Sequence, residues 1–100
     1  MLHFLCKRSD LPPAGEAREF ACADKTLCIA NHNSVFTAMD NVCPHRGGPL
    51  GQGMIERGKL VCPWHGWAFD LTTGAATHDP RSRATVYSLH LDGDDVAVDF

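Results

Sequence analysis

One hundred residues, 44% of them hydrophobic and 21% charged, describe an ordinary globular chain, long enough for one domain and too short for two. The formal net charge of −3 argues against nucleic-acid binding, which needs a basic face. Mild acidity instead fits docking on basic partner surfaces.

The opening MLHFLCKRSDLPP has no basic region ahead of its few apolar residues, so a signal peptide is not expected. No stretch approaches membrane-spanning length. Residues 2–6 form a short apolar run, expected as a first or edge strand. Residues 9–16 hold two prolines and a glycine and are read as a connection. Residues 17–23 alternate weakly. Residues 26–30 and 35–39 flank Asn31-His32-Asn33-Ser34, which predicts a hairpin with its turn over those four residues. A second hairpin is expected from residues 54–56 and 59–61 around Arg57-Gly58. Residues 67–69 follow as a strand, closed by the turn at residues 71–74. Residues 77–83 connect to the alternating run 85–91. Asp92-Gly93-Asp94-Asp95 is a hairpin turn, and Val96, Val98 and Phe100 share a face of the last strand. No segment has a helical period. The pattern is all-β: an antiparallel β-sandwich or small barrel.

The chemistry concentrates in residues 41–69. Cys43-Pro44-His45 opens this stretch and Cys62-Pro63-Trp64-His65 nearly closes it, with sixteen residues between His45 and Cys62. Two Cys and two His suggest a metal site. Zinc modules usually pair like ligands within one box. Here each box is mixed, which suits a centre with two unlike irons, one held by a Cys from each box and the other by a His from each. Three further cysteines, Cys6, Cys22 and Cys28, show no framework spacing. They are expected as buried strand thiols, which places the chain in a reducing, cytoplasmic setting.

CPHRGGPL and CPWHGWAFD resemble the two cluster-binding loops of Rieske [2Fe–2S] proteins, in particular the ferredoxin and oxygenase branch. The resemblance implies a single Rieske domain over residues 1–100, with a cluster-binding subdomain at about residues 41–70 inserted in a basal β domain. It implies one [2Fe–2S] cluster bound by Cys43, His45, Cys62 and His65. Respiratory Rieske proteins carry an extra Cys in each loop, joined as a disulfide, and Ser and Tyr donors near the cluster. The corresponding residues here are Gly48, Trp64, Trp67 and Phe69. Hydrogen bonds to sulfur raise the potential, so these departures predict a low one, about −150 mV. Trp64, Trp67 and Pro80 are expected near the cluster. Arg46 is expected to pair within the subdomain, to meet a partner, or to lie in solvent. His3, His32, His78 and His90 are expected to be structural or exposed.

Rieske oxygenases add a large domain with a second iron site, for which this chain has no room. The resemblance therefore implies a monomeric electron carrier, not an enzyme. It would accept electrons from a flavin-dependent NAD(P)H reductase and pass them to a terminal ring-hydroxylating oxygenase. The alternatives are a small Rieske subunit bound to the catalytic subunit of an NADH-dependent nitrite reductase-like complex, and a zinc-stapled interaction module.

Overall fold

The computed structural model describes residues 1–64, 66–79 and 81–100. Nine strands run through them: β1 (Leu2–Lys7), β2 (Ala17–Cys22), β3 (Lys25–His32), β4 (Val35–Asp40), β5 (Met54–Glu56), β6 (Lys59–Val61), β7 (Ala68–Asp70), β8 (Val86–Asp92) and β9 (Asp95–Asp99). The described helical residues form two three-residue 3-10 turns, Arg8–Asp10 and Leu50–Gln52. No helix among the described residues is long and apolar enough to cross a membrane.

Six strands form an antiparallel sheet in the order β1-β9-β8-β4-β3-β2. The sheet curls until its two edge strands meet, and Cys22 Sγ on β2 donates to the Phe4 carbonyl on β1 at 3.7 Å. The barrel so formed encloses Leu5, Leu27, Ile29, Ala38, Val96 and Val98. Its hairpins are tight. Asn33 and Ser34 both have positive φ (54° and 70°), as do Arg57 and Gly58 (53° and 75°), the geometry that matches the right-handed twist of paired strands.

The expected turn at Asn31-His32-Asn33-Ser34 is narrower in the structure, because Asn31 and His32 belong to β3. Asn31 is buried; its Nδ2 donates to the Pro12 carbonyl at 3.0 Å, and its Oδ1 accepts from the Ser34 N–H at 2.9 Å. Its turn-forming chemistry is thus used from within the strand. The β2–β3 turn, at Ala23-Asp24, carries no glycine, although Ala23 sits at φ 55°.

β3 is buried on both faces. Leu27 and Ile29 point into the barrel, whereas Cys28 and Ala30 join Met39, Leu50, Leu60 and Phe69 in a second core. This second core lies against a small antiparallel sheet, β5-β6-β7. One wall of the barrel therefore serves as the floor of the unit that carries the two Cys/His boxes. Cys6, Cys22 and Cys28 are buried strand thiols, as expected.

Candidate metal centre

The first box lies in a loop pinched shut at its base by a bridge between Val42 and Pro49. The Cys43 N–H donates to the Gly48 carbonyl at 2.9 Å, and the Gly47 N–H returns to the Cys43 carbonyl at 2.7 Å. The reversal requires Gly47 at φ +78°, a left-handed value that disfavours any residue with a β-carbon. In the second loop the Cys62 N–H donates to the Trp67 carbonyl at 2.8 Å. Both loops thereby aim their cysteines inward, and Cys43 and Cys62 are each 1% exposed.

The two thiols stand within hydrogen-bonding reach of each other, and the Trp64 N–H donates to Cys62 Sγ. Burial pushes the Cys62 thiol up, the Trp64 N–H draws it back, and Cys43 raises it further. They are free thiols, not a disulfide. His45, two residues after Cys43, is half-buried. Its ring stacks on Trp67 with centroids 4.1 Å apart and planes 9° apart. Trp67 in turn lies 5.7 Å from His78. His65 and Pro80, both singled out from the sequence, lie outside the described residues. Trp64 is 50% exposed and so covers the loops only from one side.

Gly48 has no room for a side chain. A β-carbon there would meet Cys62 Sγ at 2.8 Å and the Trp64 side chain at 3.0 Å. Gly48 and Trp64, the residues at the two extra-Cys positions, therefore face each other across the gap between the loops.

Sequence reasoning missed the clasp that ties these loops to the barrel. Asn41 Oδ1 accepts from the Gly51 N–H at 2.7 Å, and its Nδ2 donates to Glu19 Oε2 at 2.6 Å. Gln52 Nε2 adds a bond to Glu19 Oε1 at 3.1 Å. Asn41 immediately precedes the first box, but Glu19 lies twenty-two residues earlier on β2, and no motif joins them. On the other side, Asp70 Oδ1 accepts from the Thr72 and Thr73 N–H groups at 2.8 and 2.9 Å. Those bonds, that to Thr73 foremost, hold its carboxyl below the usual range. The Ala84 N–H then donates to the Gly74 carbonyl at 2.8 Å and returns the chain to the barrel.

Two buried thiols side by side, with His45 two residues along the chain from one of them, offer sulfur and nitrogen donors from neighbouring positions, although no three described side chains converge closely enough to hold a single metal ion. This mixed donor set fits an iron–sulfur centre with both ligand types.

Comparison with known proteins agrees with this donor set. The family model for the Rieske [2Fe-2S] domain matches residues 1–91. The chain is 37% identical to apoptosis-inducing factor 3 of Homo sapiens over 70 residues, which is 70% of this chain and 11% of that protein. The chain thus spans a small fraction of that curated relative. Among solved structures, the Sphingomonas yanoikuyae B1 ferredoxin superposes with a TM-score of 0.85 at 26% identity, covering 97% of this chain and 96% of that one. A chain from the complex of reduced oxygenase and oxidised ferredoxin in carbazole 1,9a-dioxygenase gives a TM-score of 0.83 at 25% identity, covering 97% and 91%.

Proposed function

The chain belongs to the Rieske [2Fe–2S] domain family, whose cofactor is a Rieske-type [2Fe–2S] cluster, and we propose that it works as a low-potential one-electron carrier. In this reading the thiolates of Cys43 and Cys62 hold one iron and the neutral imidazoles of His45 and His65 hold the other. The bound cluster supplies a one-electron redox couple. Residues 1–100 act as one unit, with residues 41–70 as its cluster-binding part.

The observation that carries this reading is the meeting of Cys43 and Cys62 as free, buried thiols from two loops pinned to one barrel wall. The protein's own residues set the conditions of the site. The second core excludes water from the sulfurs. The Trp64 N–H places a donor on Cys62 Sγ. Trp67 fixes the plane of the His45 ring. Phe69, fully buried in the same core, offers no hydroxyl, and Gly48 and Trp64 provide no disulfide. With few donors on sulfur, the potential falls near the bottom of the Rieske range, about −150 mV.

The donor partner in this scheme is a flavin-dependent NAD(P)H reductase and the acceptor a terminal ring-hydroxylating oxygenase. The likeness to ferredoxins, including the ferredoxin–oxygenase complex, supports the oxygenase as acceptor. The carrier performs no catalysis of its own and acts as a cytoplasmic monomer. Purified anaerobically, the protein should be red-brown, with iron and acid-labile sulfide in equal amounts. Protein-film voltammetry should place its potential near that value, and His65→Ala should abolish the Rieske spectrum. A colourless protein holding mononuclear zinc would overturn the proposal.

A further inference from the structure

Charge is not spread evenly over this molecule. Residues 41–84, which hold the ligand loops and the small sheet, carry five Arg or Lys side chains against three Asp or Glu. The remaining residues, which build the barrel, carry four against nine. The net charge of −3 therefore resides in the barrel, and the end that holds the candidate centre is positive.

Two of the three carboxylates of the positive end are engaged. Asp70 is turned onto the Thr72 and Thr73 N–H groups, and Asp79 pairs with Arg81 at 3.1 Å. Glu56 is exposed, stands opposite Lys59 in the β5–β6 register and makes no ion pair among the described residues, so one carboxylate remains among the cations of this end. Among the described residues, Arg46, Arg57 and Arg83 are exposed and in no ion pair.

Arg57 borders a groove of about 300 Å³ on the small sheet. Glu56, Lys59, Gly66, Thr77 and His78 also line it. Gly66 belongs to the second ligand loop, and His78 joins the groove to the His45–Trp67 stack. The groove thus lies next to the centre, and its rim carries two cations, Arg57 and Lys59, against one carboxylate, Glu56. Arg57 also adopts φ +53° in a two-residue hairpin turn, where Asn or Gly would sit more easily. The arginine is therefore not there to make the turn.

We propose that the redox partner of this protein docks an acidic surface on this groove, with Arg57 as the main recognising charge. The proposal rests on the electron-carrier reading. It reverses the expectation drawn from net charge, because a partner approaching the ligand loops meets the local positive field and not the distant acidic barrel. Beyond about 10 Å the barrel's charge is largely screened at moderate salt.

Arg57→Gly separates this role from a structural one. It removes the charge and leaves Gly-Gly, a favoured pair for this turn. The apparent thermal midpoint should hold or rise, while recognition falls. Lys25→Gln, in the barrel, changes net charge by the same amount and serves as the control.

The experiment uses the reduced holoprotein and two small one-electron oxidants of opposite charge, tris(oxalato)cobaltate(III) and hexaamminecobalt(III). The bimolecular rate with the trianion should fall as ionic strength rises, and the rate with the trication should increase. At about 100 mM ionic strength, where the screening length is about 10 Å, Arg57→Gly should slow the trianion about fourfold, and Lys25→Gln by under about twofold. Hexaglutamate should slow the trianion reaction and shift the amide resonances of residues 57–59; hexalysine should do neither. A trianion rate that rises with salt, as the net charge dictates, or equal effects of the two substitutions, would overturn the proposal. A sample with no reducible visible band would remove the electron-carrier reading instead. The hexaglutamate titration of residues 57–59 would then decide the docking site by itself.

Discussion

A β-carbon built on Gly48 stands 3.1 Å from that of Trp64 and 2.8 Å from Cys62 Sγ. The two ligand loops therefore touch where Gly48 meets Trp64. Gly48→Ala should crowd Cys62 and cost about 1–3 kcal/mol, read as earlier thermal bleaching of the visible band. The double change Gly48→Cys with Trp64→Cys brings two thiols close to the disulfide Cβ separation of about 3.8 Å. It should form an internal cross-link on mild oxidation, detected by mass spectrometry without reductant, and raise the potential.

The clasp between the barrel and the first loop is a second point of control. Asn41 is 6% exposed and satisfies the Gly51 N–H. Asn41→Ala should leave that buried N–H without its acceptor and cost about 1–3 kcal/mol by urea unfolding. Gly51→Ala should do comparable harm, since its β-carbon would lie 2.7 Å from Asn41 Oδ1 and 3.0 Å from the Glu19 backbone nitrogen. An unchanged unfolding midpoint in both variants would mean that the clasp contributes nothing.

Trp67 holds His45 by face-to-face contact at 4.1 Å. Trp67→Leu keeps much of the apolar volume but removes the stack, a contact of about 0.5–1.5 kcal/mol. The expected result is a cluster that assembles with a broadened electron paramagnetic resonance signal and is lost faster to a chelator. Identical line shape and loss rate would show that the stack does not constrain the ring.

The turn after β7 should depend on pH. The Asp70 carboxyl is held below its usual range by the Thr73 and Thr72 N–H groups, while its unfolded value is about 3.9. The folded state therefore binds fewer protons around that pH. The stabilisation is complete above about pH 4 and disappears as pH falls through the depressed folded value. It is modest, because solvent screens the half-exposed group. The Thr72 and Thr73 amide resonances should report a midpoint below 3.9, and Asp70→Ala should abolish that titration.

Cys28 is 0% exposed, and its thiol is pushed up to about 12 by burial and then by Glu19. It should resist alkylation at pH 8 until the chain unfolds. Cys6 and Cys22, also buried and raised, should behave alike. Rapid native-state labelling of Cys28 would mean that the second core opens readily.

Much of the fold could be read directly. Alternation in residues 85–91 and the pair Arg57-Gly58 mark strands and a turn through local steric rules, which act within a few residues. The ligand boxes are also local, because their spacing, prolines and glycines are properties of short loops. The break after residues 17–23 was legible at Asp24-Lys25, but not the tightness of the β2–β3 turn, because Ala23 accepts a left-handed conformation between the paired strands. The Asn41–Glu19 clasp escaped because its members come together only when β2 packs beside the first loop.

Residue types and spacing alone determined that this chain would offer two thiols and two imidazoles from mixed boxes on an all-β framework. Only the tertiary structure decided that β3 would divide two cores, that Gly48 would face Trp64, and that the acidic excess of residues 1–40 and 85–100 would gather in one barrel. The physical reason is range. Backbone conformation and ligand chemistry are set by near neighbours, whereas packing and the electrostatic field depend on which distant residues the curled sheet brings together.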